Sequence, residues 1–313
     1  MAFWHECVGR RDLIRTSVGL GAALSMRDRA WGATTGMYLS LNGSLTGGKV
    51  GWPEFARLAA RTGYGGADVN LAAAMKDGPD ATRGLFSELG IKASNAGLPV
   101  TFSRDEETFR RGLAGLDEAA KFAAAIECPR LLGLLPPASQ TPKAELRKVL
   151  KDRLAAVSGI LLRSNVRLGL EFLGPLHFRT SQPHEFIWRM DEALEFAKEC
   201  GPNIGLLLDV WHWYHAGAGT ADIIAAGKSR IVHVHLSDCP KMPADQVRDN
   251  QRVLPGEGVI DLIGFFQALK RIGYEDGVSP EPLGRIPKEM SPEEGARLGL
   301  ESALSVMRKA GVA

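Results

Sequence analysis

From about residue 35 onward, short apolar runs alternate with longer stretches whose apolar positions recur at helical spacing. The strand-like runs are Met37–Leu41, Gly66–Asn70, Ile91–Asn95, Arg130–Leu134, Val166–Phe172, Ile204–Val210, Ile231–Leu236 and Gly277–Glu281. Between and after them, Pro53–Thr62, Glu106–Ile126, Ala144–Arg163, His184–Cys200, Leu262–Ile272 and Pro292–Lys309 carry the helical period. This alternation predicts βαβ units and hence parallel strands. Gly63, Gly90, Gly201 and Gly273 each follow a helical stretch, where a residue that tolerates positive φ is expected to end the helix. Eight β and eight α elements suggest closure into a single-domain (β/α)8 barrel over residues 34–313. An open doubly wound sheet competes, but no GxGxxG follows the first strand, and Gly43-Ser44-Leu45-Thr46-Gly47-Gly48-Lys49 lacks phosphate-loop spacing.

Residues 1–33 follow a different pattern. Arg10-Arg11 is succeeded by the weakly apolar stretch from Thr16 to Met26 and then by Ala30-Trp31-Gly32-Ala33, small residues suited to cleavage. The segment reads as a twin-arginine export signal, implying a periplasmic or exported protein. Arg27, Asp28 and Arg29 crowd the cleavage site, so a charged N-terminal helix on a cytoplasmic protein is the competing reading. No later run approaches the roughly 18 apolar residues of a membrane span.

Composition narrows the class. The chain has 313 residues, 45% of them hydrophobic and 24% charged, which is ordinary for a globular protein with a substantial core. The formal charge is +2 and no basic stripe advertises a nucleic-acid partner. Cys7, Cys128, Cys200 and Cys239 lie too irregularly for a zinc cluster or a disulfide framework and are expected as free thiols. The histidines are informative: His177, His184, His212, His215, His233 and His235, all but one of the 7, fall in one segment of the second half.

An ionised side chain at the end of a buried parallel strand is costly unless it is paired, solvated or metal-bound. The fifth strand presents Glu171, the sixth Asp209, the seventh His233 and His235 on one side, and the eighth Glu281. In a barrel these ends converge on the C-terminal rim, where that fold builds its active sites. Glu171, Asp209, His235 and Glu281 would then surround one divalent cation. Three carboxylates and an imidazole favour Mn²⁺, with Mg²⁺, Co²⁺ or Zn²⁺ as alternatives. Taken singly, the glutamates also read as barrel-end salt bridges, Asp209 as a helix cap and His235 as a core histidine. Arg252, on a loop fixed by Pro255, Gly256 and Gly258, is placed to bind substrate hydroxyls or a developing oxyanion, or else is a surface arginine. Trp211 and His212 are candidates to line a sugar pocket.

The motifs Gly169-Leu170-Glu171-Phe172, Leu208-Asp209-Val210-Trp211-His212, His233-Val234-His235-Leu236-Ser237-Asp238, Arg252-Val253-Leu254-Pro255-Gly256-Glu257-Gly258 and Ser279-Pro280-Glu281-Pro282 resemble the xylose-isomerase-like barrel superfamily. The resemblance spans roughly Thr35 to Lys309 and is strongest to the sugar-phosphate isomerase/epimerase branch, with its inosose isomerases and ketose 3-epimerases. It implies that Glu171, Asp209, His235 and Glu281 hold the metal, that the two glutamates act as acid and base, and that His212 and Arg252 bind substrate. Pro280 departs from the usual eighth-strand motif. An export signal is foreign to cytoplasmic sugar-phosphate metabolism and points to a non-phosphorylated keto-sugar or keto-cyclitol.

The leading expectation is therefore a metal-dependent isomerase or epimerase acting through an enediolate on a small carbohydrate. The same site could expel a β-substituent and cleave 3-keto-glycosides as a lyase. An endonuclease IV-like repair enzyme would need further ligands and a basic groove. A non-catalytic sugar-binding barrel would need no paired carboxylates.

Overall fold

The computed structural model describes residues 36–313, so the export-signal reading and Cys7 lie outside the described residues. Eight parallel strands close a barrel: β1 (Tyr38–Leu41), β2 (Gly66–Val69), β3 (Lys92–Gly97), β4 (Arg130–Leu134), β5 (Arg167–Glu171), β6 (Ile204–Asp209), β7 (Ile231–Leu236) and β8 (Gly277–Pro280). Each strand pairs with its sequence neighbour, and β8 pairs with β1 through Tyr38↔Gly277 and Leu39↔Val278, which removes both sheet edges. The open sheet is thereby excluded. β6 is buried along its whole length and β7 likewise, because the barrel fills one face and the helices cover the other.

The helices depart from the periodic stretches in instructive ways. Glu106–Ile126 is two helices, Glu106–Ala114 and Leu116–Ala125, divided at Gly115. His184–Cys200 is helical only from Met190; His184–Glu185 instead pair antiparallel with Ala138–Ser139, forming a two-stranded ribbon outside the barrel. Gly63, Gly90 and Gly273 do adopt positive φ (97°, 66° and 70°). Gly201 does not. Its φ of 166° is extended backbone, and glycine is needed there for room, since a Cβ would run into the Ser158 side chain.

Cys128, Cys200 and Cys239 are buried free thiols. Among the described residues, no helix is long and apolar enough to cross a membrane.

Candidate active site

Strand register brings the ligands to one level. Asp209 is the cross-strand partner of His235, which in turn pairs with Ser279, two residues before Glu281. The amide of Glu281 extends the ladder by donating to the Leu236 carbonyl at 2.7 Å. As a result, one oxygen or nitrogen from each of Glu171, Asp209, His235 and Glu281 lies within 4.8 Å of the others. Nδ1 of His235 is 3.3 Å from Glu281 Oε2, 3.6 Å from Glu171 Oε1 and 4.0 Å from Asp209 Oδ2.

Proximity here is not hydrogen bonding. Both ring nitrogens of His235 and Oε1 of Glu171 are buried with no hydrogen-bond partner. A buried polar atom left unpaired costs about 1–3 kcal/mol, so several around one point call for a ligand that satisfies them together. Three carboxylates and one imidazole converging on that point fit a divalent cation.

Asp209 does two jobs at once. Oδ1 caps the short helix Val210–His215 by accepting from the Trp211 amide at 2.7 Å, while Oδ2 faces the cluster. The helix-cap and metal-ligand readings are compatible, because they use different oxygens.

Arg252, 3% exposed, completes the floor. Nη1 donates to Asp209 Oδ2 at 2.7 Å and Glu281 Oε2 at 3.1 Å; Nη2 donates to Asp249 Oδ1 at 2.7 Å and His212 Nε2 at 3.3 Å. This is no surface arginine. Because a guanidinium can only donate, His212 accepts at Nε2 and carries its proton on Nδ1, which is buried without a partner. Trp211 is fully buried and lies 5.5 Å from the guanidinium, packed edge-on against His215. The expected sugar-stacking role is corrected accordingly: the ring has no face open to a ligand and supports Arg252 instead.

Burial and neighbouring charge divide the ionisable groups. Burial pushes Glu171 up to about 7, with Asp209 and Glu281 adding to the rise against the opposing effect of His235. Burial acts the same way on Asp209, but Arg252, His212 and His235 outweigh it and hold that carboxyl well below its usual range. His212 is driven by burial down to about 3 and is neutral. For His235, burial favours the neutral ring, yet Glu281 and Glu171 raise it well above 6.5.

Sequence reasoning passed over a second polar layer. Asp68 on β2 accepts hydrogen bonds from Asn42, Asn95, Ser40 and Ser279, and burial lifts its carboxyl to about 6. Asn95 also donates to His233 Nε2, which lies 2.8 Å from Ser279 Oγ, so His233 belongs to this layer and not to the ligand cluster. The signal was available: Asp68 is an ionisable residue near the end of a buried strand, the criterion that selected Glu171.

The model of the xylose isomerase-like TIM barrel family matches residues 56–309. The chain belongs to that family. It is 27% identical over 233 residues to an inosose isomerase of Halalkalibacterium halodurans, covering 74% of this chain and 80% of that one. It is 26% identical over 249 residues to a putative hydroxypyruvate isomerase of Mus musculus, covering 74% and 83%. Among solved structures, a xylose isomerase domain protein from Alicyclobacillus acidocaldarius superposes with a TM-score of 0.80 at 29% identity, covering 88% of this chain and 99% of that one. The IOLI protein, solved with a zinc atom bound, superposes at 0.74 with 25% identity over the same shares. The chain is thus an enzyme of this family.

Proposed function

We propose that this enzyme is a divalent-metal-dependent isomerase or epimerase of a non-phosphorylated keto-sugar or keto-cyclitol, working by proton transfer through an enediolate. The observation that carries the reading is the placement of two glutamates, Glu171 on β5 and Glu281 after β8, on a shared imidazole nitrogen, with an unpaired buried oxygen on the first. Similarity to the inosose isomerase and to the zinc-bound IOLI protein supports the substrate class and the metal.

Glu171, Asp209, His235 and Glu281 would hold the cation, for which Mn²⁺ is the favoured ion. When bound, a divalent cation supplies Lewis-acid polarisation of the substrate carbonyl and its neighbouring oxygen. Glu171, raised toward neutrality, removes the proton from the carbon beside the carbonyl. Glu281 returns a proton on the other side, giving epimerisation, or to the adjacent carbon, giving isomerisation. The free Nδ1–H of neutral His212 donates to a substrate oxygen. Arg252 favours developing negative charge while its own donors keep the carboxylates in place.

The test is proton–deuterium exchange followed by NMR in D₂O with Mn²⁺ over free ketoses, inososes and 3-keto-glycosides. Exchange beside the carbonyl of a ketose or inosose, with a re-protonated product, is expected. Cleavage of a 3-keto-glycoside with no isomerised product would replace this reading by the lyase one.

A further inference from the structure

Asp238 ends the His-Val-His-Leu-Ser-Asp run, and its carboxylate, 1% exposed, touches none of the cluster residues through a hydrogen bond. The carboxylate accepts from four backbone amides. Oδ1 accepts from Cys239 at 2.8 Å and Ile260 at 3.0 Å, and Oδ2 accepts from Gly256 and Gly258, both at 3.0 Å. The Asp238 backbone bonds Val253 in both directions at 3.0 Å, and the Val259 amide donates to the Cys239 carbonyl at 2.9 Å. One side chain thus gathers both ends of the loop 239–260, and Arg252 is the residue next to the Val253 bridge.

The glycines serve this gathering. Gly256 has φ of 90°, a conformation that L side chains rarely adopt, and a Cβ on Gly258 would strike both the Cys239 carbonyl oxygen and Asp238 Oδ1. The Pro-Gly-x-Gly sequence is therefore shaped to present amides to a carboxylate of this same chain.

We propose that Asp238 is a positioning residue: by holding the loop 239–260 through four backbone amides it fixes the Arg252 guanidinium on Asp209 and Glu281, and so sets the two carboxylates toward the cation. This rests on the metal-site reading above. Four charge-assisted hydrogen bonds from one buried group make a stiff clamp, and groups that orient metal ligands typically govern affinity 10–100-fold.

The experiment uses the full chain and three readouts: the Nε–H resonance of Arg252 in metal-free protein, amide exchange over 252–260, and the affinity for Mn²⁺ added alone. In Asp238→Asn, Oδ2 becomes an NH₂ that cannot accept from Gly256 and Gly258. The Arg252 signal is expected to broaden or vanish, exchange at residues 256 and 258 to accelerate at least 10-fold, and Mn²⁺ affinity to fall about 10-fold. In an Arg252→Met background the same change is expected to alter Mn²⁺ affinity by less than 2-fold, because the path through the guanidinium is already cut. A merely structural role leaves the two effects additive, and that outcome overturns the proposal. An unchanged Arg252 resonance in Asp238→Asn overturns it independently of any metal. Wild-type protein that binds no Mn²⁺ or Zn²⁺ removes the metal reading and with it this role for Asp238, even if the loop clamp is confirmed by exchange. Should Asp238→Asn not fold, Gly256→Ala loosens the same oxygen and is read the same way.

Discussion

Arg252 Nη1 donates to Asp209 Oδ2 at 2.7 Å, and both side chains are almost completely buried. The cation site therefore already contains one positive charge, supplied by the protein and shared with Glu281. Removing one partner of such a pair leaves a buried charge uncompensated, which costs about 3–5 kcal/mol. Arg252→Met is expected to lower the stability of the metal-free protein by that order. Mn²⁺ at a fixed concentration should stabilise the variant less than the wild type, because Asp209 and Glu281 are no longer held toward the cation by the guanidinium. Thermal melts of both proteins with and without Mn²⁺ check this; a larger Mn²⁺ stabilisation of the variant would show that the guanidinium competes with the cation instead of positioning its carboxylates.

Metal binding itself is expected at one divalent ion per chain. Asp209→Ala and His235→Ala each remove a ligand atom from the group of four and should largely abolish it. Metal analysis after dialysis measures occupancy, and full occupancy in both variants would place the ion elsewhere.

Protonation gives a second handle on the same site. His235 is held well above 6.5 by Glu281 and Glu171 despite its burial, and Glu171 stands at about 7 against its usual 4.5. Without metal, Glu171 and His235 bind more protons in the folded than in the unfolded chain, but His212, His215 and His233, lowered by burial, bind fewer below about pH 6.5, so Glu171 and His235 govern the slope only from about pH 6.5 upward. Stability of the metal-free protein should thus decline as pH rises from about 6.5 through 7 and beyond. Bound metal requires the deprotonated ligands, so at pH 7 its binding should release about one proton and weaken as pH falls. Calorimetric titration in two buffers of different ionisation enthalpy counts the protons, and a count of zero would contradict the assignment.

The glutamates separate chemistry from fold. Glu171→Gln and Glu281→Gln keep the side-chain shape and lose its basicity, so turnover should fall about 10²–10⁴-fold while melting changes little. Deuterium wash-in next to the substrate carbonyl is the direct measurement. Wild-type exchange rates in both variants would end the two-carboxylate mechanism.

A steric prediction concerns the loop after β5. A Cβ on Gly174 would run into the His212 carbonyl and the Ala216 amide, both backbone atoms that cannot swing aside. Gly174→Ala should cost about 1–3 kcal/mol by overpacking and displace His212. Chemical denaturation, with the His212 ring signals as reporter, tests both parts.

The barrel and the clustering of four side chains were legible because short apolar runs alternating with helical-period stretches, and ionisable residues at the strand ends, are both written in the chain. Glu171, Asp209, His235 and Glu281 interrupt apolar runs at the same relative place, and a parallel register turns that place into a single level. What could not be read was the use of each donor. Nothing in Trp211-His212 distinguishes a ring lining a pocket from one beneath Arg252, since that depends on a loop more than forty residues away. Gly201 does end the helix Met190–Cys200, but local spacing cannot reveal that its φ is extended and that Ser158 occupies the space beside it. Asp238 was overlooked as a polar residue after a strand, its four amide partners lying as far away as Ile260.

The pairing of β8 with β1 has a consequence for how the enzyme comes into being. Glu281 is the last of the four clustered residues to be synthesised, and it directly follows the strand that seals the barrel against Tyr38 and Leu39. A chain halted before that point has an unsealed sheet and only three of the four clustered side chains. If these four residues hold the cation as proposed, the site is complete only once the barrel is closed, so metal binding would report barrel closure.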